Sequence, residues 1–311
     1  MSAEGRILSV NLSGQKGTPK RPVPAAFIGS RGLEGDAHAG TGNRQVSILS
    51  AERIRRFAAE TGRDFHPGEF AENLTVEGLD LSSAALLDRL SAGGAVLQVT
   101  QRGKSCHGER CAVFRAVGRC IMPTEGIFCR VLEPGPVRPG DPIVHHRRRL
   151  RGLVVTLSDR AHRGEYEDRS GPRVEEELGA FCRETGWQGE FRRVLLPDDA
   201  GKLRETLEAA RREGLDLVVT TGSTGPGPRD VAPEVASAFC DRLIPGIMEA
   251  VRLKYGRENP RALLSRGIAG VAGRMLLYTL PGSQRAVSEY MVEIRKTLEH
   301  LLYLVNGLEV H

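Results

Sequence analysis

Thr221-Gly222-Ser223-Thr224-Gly225-Pro226-Gly227-Pro228-Arg229-Asp230 carries the strongest signal in this chain. The stretch follows an apolar run, Leu215 to Val219, and precedes a segment of helical pattern, Pro233 to Arg242. Strand, glycine-rich turn and helix start, in that order, are how an α/β fold presents backbone N–H groups to a phosphate. Glycines let the backbone approach a ligand closely. Thr224 adds a hydroxyl, and Asp230 a carboxylate able to hold a metal ion. A glycine-rich turn alone is a weak signal; this one gains weight from its terminal Arg229-Asp230 and from its place in an alternating pattern.

That pattern fills the second half of the chain. Gly152 to Leu157, Phe191 to Leu196, Leu215 to Thr221 and Met275 to Leu280 read as strands. Ser170-Gly171-Pro172 reads as the start of a helix with Val174, Leu178 and Phe181 on one face. Asp199 is placed to cap a helix carrying Leu203, Leu207 and Ala210, and a long closing helix carries Val287, Ile294, Leu298, Leu301 and Val305. The alternation predicts a mainly parallel sheet with helices on both faces and ligands beyond the carboxyl ends of the strands. Ser158-Asp159, Pro197-Asp198 and the glycine-rich turn all fall there.

The first half lacks this rhythm. Arg6 to Leu12, Gln45 to Leu49, Asn73 to Val76, Ala95 to Thr100 and Pro142 to Val144 are short strand candidates, with one helix around Ala51 to Glu60. They predict a mostly β domain, a small barrel. The rhythm changes at His145-His146-Arg147-Arg148-Arg149-Leu150-Arg151, read as a solvated linker. The expected domains are therefore 1–149 and 150–311.

Composition narrows the class. The chain has 311 residues, 40% hydrophobic and 27% charged, which suits two ordinary soluble domains. Met1 to Val10 contains no signal-peptide apolar core, no apolar run is long enough for a bilayer, and six cysteines are too sparse for a disulfide scaffold. A cytoplasmic protein without membrane contact is expected. A net charge of +5 suits an anionic ligand, but with 5% aromatics and no recognisable nucleic-acid motif, nucleic acid is not an expected partner.

Four separated blocks give the second half a family resemblance. They are Thr156-Leu157-Ser158-Asp159-Arg160 with Gly164 to Pro172, Leu196-Pro197-Asp198-Asp199, Thr220 to Glu234, and Leu264-Ser265-Arg266 with Leu280-Pro281-Gly282-Ser283. In this order they resemble the molybdopterin adenylyltransferases of molybdenum-cofactor synthesis. The resemblance implies a three-layer α/β fold, a homo-oligomer (a trimer), and magnesium-dependent transfer of AMP from ATP to molybdopterin. It matches the functional carboxylates, which would also hold the magnesium, to Asp198 and Asp230. It matches substrate and nucleotide contacts to Ser158, Asp159, Gly222, Ser223, Thr224, Gly225, Ser265, Arg266, Pro281, Gly282 and Ser283. The family usually has glycine at position 223, and Asn and Pro where Thr279 and Gln284 stand. If position 223 needs a positive φ, Ser223 is strained.

The first half, from Gly32 to Asp141, resembles a MOSC domain, the β-rich module named after the C-terminal region of molybdenum-cofactor sulfurases. The matching pieces are Gly35-Asp36-Ala37-His38-Ala39-Gly40, Glu72 to Gly78, Thr100-Gln101-Arg102-Gly103-Lys104-Ser105-Cys106, and Gly140-Asp141-Pro142. The resemblance implies a site at Cys106 and Arg102 that binds the molybdenum cofactor or carries sulfur. Lys104, His107 and Arg110 are placed to favour a Cys106 thiolate, and an inert cysteine stays equally open. Cys106, His107, Cys111 and Cys120 lack the two separated ligand pairs of a structural zinc site, so zinc is not expected. His38 reads as a structural hydrogen-bonding residue. Two rivals to the transferase stay open: a carrier that holds molybdopterin or its molybdenum cofactor without adenylylating it, and a sulfur transferase using Cys106. Other proteins of molybdenum-cofactor synthesis are the expected partners.

Overall fold

Short runs of alternating apolar residues build the first unit, and longer apolar strands the second. The computed structural model describes residues 3–16, 18–104, 114–115 and 119–308. It divides into two units, Met1–Arg148 and Arg149–His311.

In the first unit the strands are β1 (Ala3–Leu12), β2 (Arg21–Val23), β3 (Ala26–Gly29), β4 (Gly32–Leu33) and β5 (Val46–Ser50). They continue with β6 (Leu74–Glu77), β7 (Arg89–Ala92), β8 (Ala95–Arg102), β9 (Ile127–Glu133), β10 (Gly135–Val137) and β11 (Pro142–His146). The main sheet runs β11-β7-β8-β9-β5-β6-β1-β2, and a β11–β1 pairing closes it into a barrel. Closure removes the edges that β11 and β1 would otherwise leave, while β2 extends the sheet beyond β1 and β10-β3-β4 form a separate three-stranded sheet. Ile7, Val10, Ile48, Leu74, Leu97 and Ile143 are among the buried residues that fill the interior. Helix Ala51–Thr61, capped by the Ser50 side chain on the Arg53 N–H, turns Ile54 and Phe57 inward onto Phe70.

The second unit has β12 (Arg149–Leu157), β13 (Gln188–Leu196), β14 (Leu217–Thr221), β15 (Arg242–Leu243), β16 (Ala269–Ala272) and β17 (Met275–Leu280), ordered β13-β12-β14-β17-β16-β15. The first four strands pair in parallel, whereas β16 pairs antiparallel with both β17 and β15. The sheet is therefore mixed rather than mainly parallel. The reason is local: β16 and β17 form a tight hairpin through Gly273, at φ +65°, and no crossover helix separates them. Leu153, Val155, Val218 and Leu277 meet Leu203, Leu207, Val235 and Ala236 of helices Ala200–Arg212 and Ala232–Phe239. Helices Ser170–Thr185 and Gln284–Val305 pack against each other and onto β12, β13 and β17.

The basic stretch is not a solvated linker throughout. His145 lies in β11 and is 3% exposed, bonded through Nε2 to Asp88 Oδ2 at 2.7 Å, and Leu150 is buried in β12. Among the described residues no helix is long and apolar enough to cross a membrane.

Candidate functional site

Parallel register sets the site. Leu157 of β12 pairs with Leu196 of β13, Thr156 with Thr221 of β14, and Thr221 with Leu280 of β17. Four strands thus end at one level, and the loops beginning at Ser158, Pro197, Gly222 and Pro281 converge beyond it, where ligands bind in sheets of this kind. They surround a cavity of about 640 Å³.

Ser158, Asp198, Gly222, Ser223, Thr224, Gly225, Asp230, Ser265, Pro281, Gly282 and Ser283 all line this cavity. Asp159 and Arg266 do not line it. Asp159 exchanges backbone bonds with Asp198, its N–H reaching Asp198 Oδ2 and the Asp198 N–H reaching Asp159 Oδ1, both at 3.2 Å. It also forms an ion pair with Arg229. Arg266 works as a clamp: Nε donates to the Gly225 carbonyl at 2.8 Å, Nη2 to the Asp230 carbonyl at 3.2 Å, and Nη1 pairs with Glu234. These two residues hold the loops that carry the others.

The glycine-rich turn is built for close approach. Gly222 has φ +93°, and a Cβ there would run into the Leu157 carbonyl oxygen. A Cβ at Gly225 or Gly227 would lie 2.8 Å from Asp230 Oδ2, which accepts the Gly227 N–H at 2.9 Å. Only glycine leaves room for that carboxylate. Ser223 does adopt a left-handed conformation, φ +55°, so the strain expected of a serine there is real. Its hydroxyl offsets part of that strain by accepting the Val231 N–H at 2.9 Å and donating to the Arg229 carbonyl at 3.3 Å.

Burial pushes the Asp198 carboxyl above its ordinary range, the Asp230 carboxylate adds to the shift, and the Ser223 hydroxyl opposes it. Two carboxylates facing one cavity repel, and a cation between them would relieve both. Magnesium fits this donor set, because it is commonly held by one or two carboxylates with substrate phosphates completing the shell. Among the described residues no group of three or more His, Cys, Asp or Glu side chains is arranged to hold a metal by itself.

The sequence reading missed Tyr166, Asn259, Arg261, Arg285, Glu289 and Tyr290, which also line the cavity. Arg285 and Glu289 had a legible signal, an i,i+4 pair in the first turns of the closing helix. Asn259 and Arg261 had none, because helix Pro245–Gly256 and the short 3₁₀ turn Pro260–Leu264 bring them in from a part of the chain without chemical motifs.

In the first unit, Arg102 is exposed at the end of β8, and the Lys104 ammonium lies 5.9 Å from the centre of the Phe128 ring. Cys106, His107, Arg110 and Cys111 lie outside the described residues. Asp36 accepts the N–H groups of Ser13 at 3.1 Å and His38 at 2.9 Å, and pairs with the buried Lys20.

Two families match the chain. Residues 153–300 match the family described as probable molybdopterin binding domain, and residues 35–144 match the MOSC domain. A molybdopterin adenylyltransferase of Helicobacter pylori strain J99 is 32% identical over 155 residues, covering 50% of this chain and 86% of that protein. The Escherichia coli K12 molybdopterin adenylyltransferase is 35% identical over 147 residues, covering 47% of this chain and 74% of that protein. Among solved structures, the molybdopterin biosynthesis enzyme MoaB of Thermus thermophilus is 38% identical over 51% of this chain and 97% of its own, with a TM-score of 0.47.

Proposed function

The chain belongs, through its second half, to the molybdopterin adenylyltransferase family, and we propose that this unit transfers the adenylyl group of ATP to the terminal phosphate of molybdopterin. A phosphate oxygen of molybdopterin attacks the α-phosphorus of ATP. The new P–O–P bond forms as the bond to the β-phosphate breaks, and pyrophosphate leaves. The observation that carries this reading is the convergence of Asp198, Asp230 and the Gly222–Gly225 turn on one cavity.

Each group has a task there. Joining two phosphates brings anions together, so fixed donors and a cation are what the reaction most needs. N–H groups of the glycine-rich turn donate to the transferring phosphoryl group. Arg261 and Arg285 offer cations at the cavity's edge, which suits the phosphates not being transferred. Asp198 and Asp230 would hold magnesium, which supplies charge neutralisation when bound. Asp159 and Arg266 position these groups from behind.

The first unit, as a MOSC domain, would act on the same cofactor through Cys106 and Arg102, binding the molybdenum cofactor or handling sulfur. We expect a trimer, and partners among the other proteins of molybdenum-cofactor synthesis. Incubating the protein with metal-free molybdopterin and magnesium ATP under anaerobic conditions should give adenylylated molybdopterin and pyrophosphate. Tight pterin binding with no product would instead make the chain a carrier.

A further inference from the structure

Tyr290, in the second turn of helix Gln284–Val305, lines the cavity yet is only 2% exposed. Its hydroxyl is shut off from solvent, and among the described residues no hydrogen bond of ordinary geometry reaches it. No other described residue lining the cavity has a buried side-chain oxygen or nitrogen in that state. A buried donor left unmade is costly, and a native fold that keeps one calls for an explanation.

Three side chains act on this hydroxyl. Burial pushes its pKa up, the Ser265 side chain and the Arg252 guanidinium draw it back, and the Glu289 carboxylate adds to the rise. The phenol therefore stays protonated and is a donor. Arg252 offers it no acceptor; its Nη1 donates to the Ser265 carbonyl at 3.4 Å and the Gly267 carbonyl at 3.1 Å. Glu289 precedes Tyr290 on the helix, where adjacent side chains do not face each other, and it accepts Arg285 Nε at 2.7 Å. Ser265 is the group left to answer the phenol.

Ser265 lines the same cavity, and its Oγ accepts the Gly267 N–H at a long 3.4 Å. Two neighbouring hydroxyls have two protons to give. One goes to the other hydroxyl, and the second must leave the pair. Tyr290 is sealed, whereas Ser265 borders the cavity, so only the order Tyr290 to Ser265 to cavity leaves no buried donor unmade. The Ser265 hydroxyl then enters the cavity as a donor, which suits an oxygen that only accepts, such as that of a phosphate. The cavity's charges, Arg261 and Arg285 against Asp198, Asp230 and Glu289, do not by themselves draw an anion. A neutral donor of fixed direction therefore counts for more there.

We propose that Tyr290 is a positioning residue for substrate binding: its phenol donates to Ser265 Oγ and so turns the Ser265 O–H onto a phosphate oxygen. The bond between the two hydroxyls closes as that oxygen fixes Ser265. The proposal rests on the adenylyltransferase reading, in which both substrates carry phosphate.

Tyr290→Phe removes one oxygen and tests this on the full chain. Titration calorimetry with magnesium ATP and, separately and anaerobically, with molybdopterin should show at least one of them weakened about tenfold. Ser265→Ala should weaken the same ligand. Adding Tyr290→Phe to it should cost less than about twofold more, because the phenol works only through Ser265. Without ligand, Tyr290→Phe should melt no earlier than wild type, since it deletes an unpaired donor rather than a bond. Unchanged affinity for both ligands in Tyr290→Phe overturns the proposal. So does its full loss persisting in the Ser265→Ala background, or a lower melting temperature without ligand. A wild-type protein that binds with this dependence on Tyr290 but forms no product sinks the transferase reading and leaves Tyr290 in its role.

Discussion

Asp36 in the first unit is buried and Asp198 in the second is half-buried at a cavity, and their surroundings treat the two carboxyls in opposite ways. Burial disfavours the Asp36 anion, but hydrogen bonds from His38 and Lys20 outweigh it and hold the carboxyl well below its ordinary range. Lys20 and Asp36 side chains are each 1% exposed, so each charge answers the other. Asp198 instead faces Asp230, and among the described residues no lysine or arginine forms an ion pair with it; its carboxyl is pushed up. A carboxylate matched from within belongs to the scaffold. One left facing a like charge is poised to take its partner from a ligand.

Removing each partner in turn tests the contrast. Lys20→Met should produce the largest change, about 3–5 kcal/mol of destabilisation confined to the first unit, because it leaves a buried carboxylate uncompensated. Hydrogen exchange read by mass spectrometry would localise it, and adding Asp36→Asn should recover much of the loss. Asp198→Asn and Asp230→Asn should leave the fold intact and each cut adenylyl transfer by about 10²- to 10³-fold, the scale of losing one electrostatic contact to a transition state. Normal turnover in both would end the carboxylate assignment.

Smaller effects refine it. Ser223→Ala keeps the left-handed strain but loses the hydroxyl's bonds to Val231 and Arg229, and should cost about 1 kcal/mol in thermal unfolding. Ser223→Gly loses the bonds and the strain together and should stay within about 0.5 kcal/mol of wild type. Asp198→Asn should also stabilise the ligand-free second unit by up to about 1 kcal/mol, since it removes a repelled charge.

Acidity separates the two carboxylates as well. Asp36 has a depressed folded pKa, so its stabilisation is complete above the ordinary carboxylate value of about 3.9 and is lost as pH falls below it. Exchange protection of the first unit should drop in that window, and the drop should be shallower in Lys20→Met/Asp36→Asn. Asp198 has a raised pKa, so the ligand-free second unit should gain relative stability as pH falls toward the ordinary carboxylate value, with no further gain from this group below it.

Much of the second unit was legible because its signals are local. The expected strand Met275 to Leu280 is β17, the helix start at Ser170 is where a helix begins, and Asp199 caps its helix by accepting the Lys202 N–H. The first unit was harder to read. β2, β3, β4 and β10 have two to four residues each, too short for period-two alternation to register, and β7 and β9 were also missed. The antiparallel β16 and helix Pro245–Gly256 escaped as well, and with them the segment that delivers Asn259 and Arg261.

Chain-local chemistry was enough to mark the glycine-rich turn and the alternating elements around it, because side-chain periodicity and turn geometry act over a few residues; the pairing of Asp198 with Asp230 came from the family resemblance. It took the folded arrangement to bring Asp198 and Asp230 into one cavity and to set Asp159 and Arg266 behind it. Those outcomes depend on strand register and on crossings between distant segments, which no short stretch of chain encodes.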